Sequence, residues 1–178
     1  MNAAQLRRVT VEGFNHYQPG LQALIEDAVR QGASIGFLND FDATQGAAYL
    51  GEIKQQLDSG ERLLWVVVRN EQVLASVQLA FCTKANGRHR AEVQKLLVLA
   101  AFQRHGLARQ LMEGAELLAR QKGITLLHLD TEVHSSAETF YQTVGYSRSG
   151  EIPAYAARPD GTLEGTALYY KILQGVSA

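Results

Sequence analysis

Apolar positions recur along this chain with two periods. Leu21, Leu24, Ile25, Ala28 and Val29 repeat every three to four residues until Gly32, and Leu107, Leu111, Ala115 and Leu118 do so again later. Each stretch predicts a helix with one buried stripe. Asp42 is placed to N-cap another helix that ends near Ser59-Gly60. Extended structure is predicted elsewhere: a short first strand over Leu6 to Val11, then Leu63 to Arg69 and Val73 to Thr83, rich in Val and Leu and separated by the polar Asn70-Glu71-Gln72 of a hairpin. Asn86-Gly87 marks the next reversal, and a strand from about Arg90 to Leu99 follows it. Thr125-Leu126-Leu127-His128-Leu129-Asp130 reads as a strand buried on both faces in the middle of a sheet. Ser135 or Ser136 caps a helix through Val144, which Gly145 ends, and Tyr146 to Tyr155 and Ala167 to Ile172 close the chain as strands joined through the Pro159-Asp160-Gly161 turn. No internal repeat, linker or low-complexity segment interrupts this order.

Composition narrows the function. With 178 residues and 46% hydrophobic content, the chain can enclose one substantial core, and a single domain over residues 1–178 is expected. The formal net charge is -1 and no run of Lys or Arg exceeds two, so a general nucleic-acid binder is not indicated and a small-molecule partner fits better. Cys82 is the single cysteine; within Leu79-Ala80-Phe81-Cys82 it reads as a small buried hydrophobe, with no internal disulfide, and a reducing cytoplasm is the expected compartment. Arg7 and Arg8 are followed by no apolar stretch, and no run reaches the roughly eighteen apolar residues of a membrane span, so neither secretion nor membrane insertion is expected. Histidine spacing supports no metal site, and His128 reads as a core or edge residue.

Candidate chemistry concentrates at Gln103-Arg104-His105-Gly106-Leu107-Ala108, between the apolar run Leu96 to Leu99 and the helix opening at Leu107. A strand passing through a tight turn into a helix aims unpaired N–H groups and the positive end of the helix dipole at one point, where an anion binds favourably. Gly106 and Ala108 keep side chains away from that point, while Arg104 and Arg109 add cations that suit a diphosphate. Neither a Walker pattern nor a three-glycine dinucleotide fingerprint is present. The turn is therefore read as the pyrophosphate cradle of a cofactor, in which the backbone of His105 matters more than its ring.

Element order, the Gln-x-x-Gly-x-Ala turn and Tyr141-x-x-x-Gly145-Tyr146 together resemble the GNAT N-acetyltransferase superfamily, with the core likeness over about Arg90 to Tyr146. Longer stretches extend the likeness over nearly the whole chain: Ala4 to Thr10, Gly32-Ala33-Ser34-x-Gly36-Phe37, Arg90 to Leu96, and Leu127-His128-Leu129-Asp130-Thr131-Glu132. In these the chain resembles the tabtoxin-resistance group of acetyltransferases. The resemblance implies an α/β fold of the α+β kind: a mixed, mostly antiparallel sheet of six to seven strands, with a central parallel pair splayed into a V and about four flanking helices. It also implies acetyl-CoA as donor, CoA as product, and as acceptor a small-molecule amine such as a β-lactam amino-acid toxin. Another amine (an amino acid, a polyamine, a protein N-terminus) and a non-catalytic acetyl-CoA sensor are the alternatives; oligomeric state stays open.

Roles follow from that likeness. Leu97, Val98 and Leu99 supply a strand edge for the pantetheine arm, with an N–H near Val98 for the thioester oxygen. Gln103 to Arg109 hold the diphosphate. Tyr141, a phenol with an ordinary pKa of about 10, delivers a proton to a thiolate whose conjugate thiol has a pKa of about 8.5. His134, where the superfamily often has Asn, together with Ala137 and Phe140, lines the cofactor wall. Glu92 or Asp130 accepts the proton of the incoming ammonium, and with Glu132 they make the cleft anionic, while Phe37 lies in a loop that covers the acceptor. Glu92 is six residues from Val98, about 20 Å along an extended strand, so it needs a bulge or an approaching substrate to meet the thioester.

Overall fold

Alternation of side chains across the strands decides where the helices go. The computed structural model describes residues 3–173. The elements in chain order are β1 (Gln5–Val9), α1 (Phe14–Arg30), α2 (Ala43–Asp58), β2 (Arg62–Arg69), β3 (Gln72–Phe81), β4 (Arg90–Val98), α3 (Leu107–Gln121), β5 (Leu126–Glu132), α4 (Ser136–Thr143), β6 (Ser147–Ala157) and β7 (Leu163–Ile172). Seven strands form one sheet in the order β1-β2-β3-β4-β5-β7-β6. Every neighbouring pair is antiparallel except β4 and β5.

On β2, Leu64 and Val66 point to one face and Trp65 and Val67 to the other, as the two-residue period requires. The first face packs on Leu21, Leu24 and Ile25 of α1 and Leu50 and Ile53 of α2. The second packs on Leu111, Met112, Ala115 and Ala119 of α3 and on Tyr141 of α4. The sheet is thus the middle of three layers, and burying it stabilises the molecule from both sides.

Several boundaries depart from the sequence reading for physical reasons. β1 stops at Val9 because Thr10 to Gly13 turns, with the Gly13 N–H donating to Thr10 Oγ1 at 3.2 Å. α1 starts at Phe14, well before Leu21, and runs through Pro19. There the missing N–H leaves the carbonyl of Asn15 without its helical partner, a cost offset by the burial of Phe14, Leu21, Leu24 and Ile25 on the same helix. Asp42 caps α2 as expected: its carboxylate accepts from the Gln45 N–H at 2.8 Å, and Gln45 Oε1 accepts from the Asp42 N–H at 3.2 Å.

β5 is not buried on both faces. Leu127 and Leu129 are buried against the α3 side, but Leu126 and His128 are half-buried and Asp130 is exposed. α1 and α2 pack over β2, β3 and β4. Beyond β4 that face of the sheet opens into a cleft. No helix among the described residues is long and apolar enough to cross a membrane.

Candidate active site

Two irregularities in β4 build the site. The first is a β-bulge. Gln78 of β3 opposes Gln94 and Ser76 opposes Leu97, so β4 carries one residue more than β3 across this interval, and Lys95 takes a left-handed φ of 48°. A regular strand would send Lys95 to the face opposite Gln94. Instead the Lys95 ammonium lies 5.8 Å from the centre of the Tyr49 ring of α2, on the α1 and α2 side. Glu92, Gln94 and Lys95 are thereby brought to one wall.

The second irregularity is the parting of the parallel strands. β4 pairs with β5 only through Arg90, Ala91 and Glu92, opposite Leu126, Leu127 and His128. Past Glu92 the strands diverge, and a cavity of about 760 Å³ fills the gap. It is walled by β4 from Glu92 to Val98, the C-terminal end of β5 from Asp130 to Glu132, the first turn of α4 with Tyr141, the loop after α1, and the β6–β7 hairpin. This volume suits a small-molecule ligand. The Leu99 N–H donates to Leu74 O of β3 at 3.0 Å. Successive amides of an extended strand point to opposite sides, so the Val98 N–H faces the gap. Leu99 itself supplies no free edge, because its amide is already engaged by β3.

Beyond β4 the chain makes a short turn and enters α3. Gly106, with φ of 80°, is the N-cap, and no side chain caps the helix. The first internal bond there is from the Gln110 N–H to Gly106 O at 3.1 Å, which leaves the amides of Leu107, Ala108 and Arg109 without partners among the described residues. A Cβ built on Gly106 would meet nothing within 4 Å, so the turn requires glycine for its positive φ rather than for clearance inside the protein. Gln103 Nε2 reaches Val98 O at 3.4 Å and His105 Nδ1 is 2.7 Å from Gln103 O, tying the turn to the strand end. Arg104 and Arg109 are exposed beside it. Three open amides beside two guanidinium groups, with a parted strand edge leading inward, fit a diphosphate carrying an extended arm.

Tyr141 is 7% exposed and lines the cavity. Burial, and then the negative charge of Asp130, push its phenol far above the ordinary tyrosine value. It therefore stays protonated through the neutral range and offers a hydrogen-bond donor, although its weakened acidity makes outright proton delivery to a thiolate less favourable than an unperturbed phenol would. Asp130 Oδ2 accepts from Thr166 Oγ1 at 3.0 Å, and that hydroxyl is also 3.0 Å from Thr131 O. One hydroxyl proton serves one acceptor at a time, so Thr166 can donate to the carboxylate or turn to the carbonyl. The Glu92 side chain makes no hydrogen bond or ion pair among the described residues.

Glu132 is placed otherwise than expected. Arg158, from the turn between β6 and β7, holds it in a forked pair, with Nε 3.1 Å and Nη2 2.5 Å from Oε1. Together with Lys95, this pairing makes the cleft bipolar rather than simply anionic. Neither cation could be foreseen there, since one depends on a bulge and the other on a distant hairpin. Three further residues lie outside the cavity wall. Phe37 packs into the second core with ring centres 4.5 Å from Phe41 and 5.4 Å from Tyr49. Phe140 stacks edge-on against Tyr141 at 5.5 Å, supporting it from behind. His134 takes a φ of 59° while its N–H donates to Glu138 Oε1 at 2.8 Å. Ser135, the N-cap of α4, turns its hydroxyl back to Glu132 O at 2.7 Å instead of capping the helix.

Beneath the wall lies a polar network that the sequence did not announce. Arg62, 9% exposed, donates to Gln56 Oε1 at 2.6 Å, Gln78 Oε1 at 2.5 Å and Gln94 Oε1 at 2.7 Å, and no carboxylate pairs with it among the described residues. On the opposite side of the cavity the loop after α1 is tied to the hairpin, through Ser34 Oγ donating to Ala157 O at 3.3 Å and the Asn39 N–H donating to Pro159 O at 2.9 Å. A smaller cavity of about 220 Å³ at the β1 edge, lined by Arg7, His16 and Glu71 among others, holds none of these groups. Among the described residues no group of three or more His, Cys, Asp or Glu is arranged to hold a metal ion.

Residues 26–155 match the family model of the acetyltransferase (GNAT) domain. Among solved structures, the fold is similar to the yncA protein of Salmonella typhimurium, solved with its cofactor acetyl-CoA, at 17% identity and a TM-score of 0.79, covering 99% of this chain and 98% of that one. It is also similar to an N-acetyltransferase from Staphylococcus aureus Mu50, at 19% identity and a TM-score of 0.79 over 97% and 100% of the two chains. A ribosomal-protein-alanine N-acetyltransferase from Brucella melitensis gives 20% identity and a TM-score of 0.75 over 95% and 99%. Identities this low show the common fold and leave the acceptor undetermined. The family match, the mixed sheet with its one parted parallel pair, and the open amides at the head of α3 agree: the chain belongs to the GNAT acetyltransferase family, enzymes that draw their acetyl group from acetyl-CoA.

Proposed function

We propose that the protein acetylates the amine of a small molecule bound where β4 and β5 part, and that this molecule is a β-lactam amino-acid toxin or a close relative, so that the enzyme confers toxin or antibiotic resistance. The observation that carries the chemistry is the convergence on one cavity of a gap-facing Val98 amide, the Tyr141 hydroxyl and the carboxylates of Glu92 and Asp130. The toxin acceptor rests on the resemblance of Gly32 to Phe37, Arg90 to Leu96 and Leu127 to Glu132 to the tabtoxin-resistance acetyltransferase. Cys82, the single thiol, suits a reducing compartment, and we place the reaction in the cytoplasm.

Acetyl-CoA supplies a thioester whose oxygen gains charge as the amine attacks and whose sulfur leaves as thiolate. Leu107, Ala108 and Arg109 would hold its diphosphate through their amides, and the edge of β4 at Val98 would take the arm; Leu97, like Leu99, turns its amide to β3. The Val98 N–H stabilises the developing oxyanion. Asp130 takes the proton of the incoming ammonium; once protonated on Oδ2 it donates to Thr166 Oγ1, whose own hydrogen turns to Thr131 O, so each member of this relay stays paired. Glu92 lies on the opposite wall and draws the cationic amine in. Tyr141 hydrogen-bonds the leaving sulfur.

The test is release of free CoA thiol by the full-length protein, given acetyl-CoA and a panel of amino acids, β-lactam amino acids, polyamines and N-terminal peptides. Release with a β-lactam amino acid, at a kcat/KM above those for polyamines and peptides, supports the reading. If acetyl-CoA binds but no amine releases CoA, the protein is a cofactor-binding sensor.

A further inference from the structure

The Lys95 ammonium is placed at evident expense and is not used by the protein itself. Its backbone is left-handed, which a residue with a side chain adopts unwillingly, and the bulge that imposes this turns the side chain onto the cavity wall. Burial, followed by the repulsion of Arg62, lowers its pKa, so the charged form is held in surroundings that disfavour it. The Tyr49 ring 5.8 Å away gives it one aromatic face, and no carboxylate lies within 4 Å among the described residues. A Cβ on Gly36 would stand 4.0 Å from Nζ, so the loop after α1 closes over it. Gln94, next to it on the same wall, has its oxygen fixed by Arg62 Nη1 at 2.7 Å. That turns its NH2 away from the guanidinium, and the group has no partner among the described residues. Two unsatisfied donors, one of them charged, therefore line the wall with the cation Arg62 behind them, while the carboxylates of Glu92, at the start of the same wall, and Asp130 partly offset the burial and favour the charged form of Lys95. Across the gap stand Asp130 and its Thr166 partner.

We propose that Lys95, with Gln94 beside it, receives a carboxylate carried by the acceptor, so that the enzyme selects amines bearing an acid group over polyamines, amides and simple amines. This rests on the acetyl-transfer reading above and adds to it the group that decides between acceptors. An acceptor carrying both charges spans the bipolar cleft, its ammonium toward Asp130 and its carboxylate toward Lys95. A polyamine would set a second ammonium against Lys95.

The experiment takes the best amino-acid acceptor of the panel and compares it with its carboxamide and with the amine lacking the acid group, on the wild type and on Lys95→Met. A charge-assisted contact of this kind predicts a wild-type preference in kcat/KM of about 10- to 100-fold for the carboxylate form. Lys95→Met abolishes that preference by raising KM for the carboxylate form, changes kcat/KM for the carboxamide by less than about 3-fold, and does not lower the melting temperature, since it removes a desolvated charge. Calorimetric titration of the N-acetylated product into the CoA-saturated protein gives a readout without turnover, and the variant should bind it at least about 10-fold more weakly. Lys95→Gln, which keeps a polar group of similar reach, serves if the Met variant fails to fold. Equal rates with carboxylate and carboxamide in the wild type, or a preference that survives both variants, overturns the assignment of Lys95 while leaving acetyl transfer intact. If no amine is acetylated, both readings fall.

Discussion

Tyr141 is held between two demands: packing keeps it buried, and its hydroxyl must reach the cavity. Phe140, Tyr146 and Tyr169 surround its ring at 5.5, 5.8 and 6.3 Å, and Asp130 adds negative charge to the low-dielectric setting. Tyr141→Phe keeps this packing and deletes only the donor. It should lower kcat by about 10- to 100-fold, the worth of a hydrogen bond to a charged sulfur, with KM for acetyl-CoA within about 3-fold of wild type. Because the phenol is pushed upward, its ionisation should not limit kcat below about pH 10. Asp130 and Glu92 are separated by the same kinetics. Asp130 has a hydroxyl relay ready for the proton and Glu92 has none, so Asp130→Asn should cost about 10²- to 10⁴-fold in kcat, and Glu92→Gln should act mainly on KM for the amine. Equal losses of kcat in both would refute that division.

Elements position these residues by close packing. α1 lies on β3 with Gly20 against Val73: a Cβ at residue 20 would stand 2.5 Å from Val73 Cγ2 and 2.7 Å from its Cβ. Val73 sits in the sheet and cannot withdraw, so Gly20→Ala should destabilise the fold by about 1–3 kcal/mol, measured as a lower urea midpoint with unchanged slope. α1 also carries Asp27, whose carboxylate accepts from the Ala100 N–H at 2.8 Å in the turn after β4. Displacing α1 therefore disturbs the turn that leads to the proposed diphosphate cradle, and the same variant should raise KM for acetyl-CoA. β4 is the element on which the function turns. Its bulge gathers Glu92, Gln94 and Lys95, and its departure from β5 leaves Val98 free.

At the scale of the whole molecule, a two-sided core holds several phenols away from water. Tyr49, Tyr141 and Tyr146 are all raised above the ordinary value, in each case chiefly by burial. A folded-state pKa above the unfolded value of about 10 means that the folded chain keeps protons the unfolded chain gives up. Their contribution is complete below about pH 10 and is lost as the pH rises through the folded values. The melting temperature should therefore fall steeply above pH 10, and Tyr141→Phe, with one such proton fewer, should show a shallower fall in calorimetric scans from pH 8 to pH 11.

Much of this was legible along the chain because it depends on neighbours in sequence. The Asp42 cap, the helix opening at Leu107 after Gly106, and the alternation of Leu64, Trp65, Val66 and Val67 are local matters of propensity and period, and they determined the order of the elements and the turn whose open amides we propose bind the diphosphate. What tertiary structure alone decided was which charges face one another. The β4 bulge exists only in register with β3, Arg158 reaches Glu132 only once the hairpin folds back, and Leu126 and His128 stay half-buried only because α1 and α2 lie over the other strands. Pairings across many residues carry no periodic trace in the sequence, since a strand's partner and register are chosen by the packing of the whole sheet.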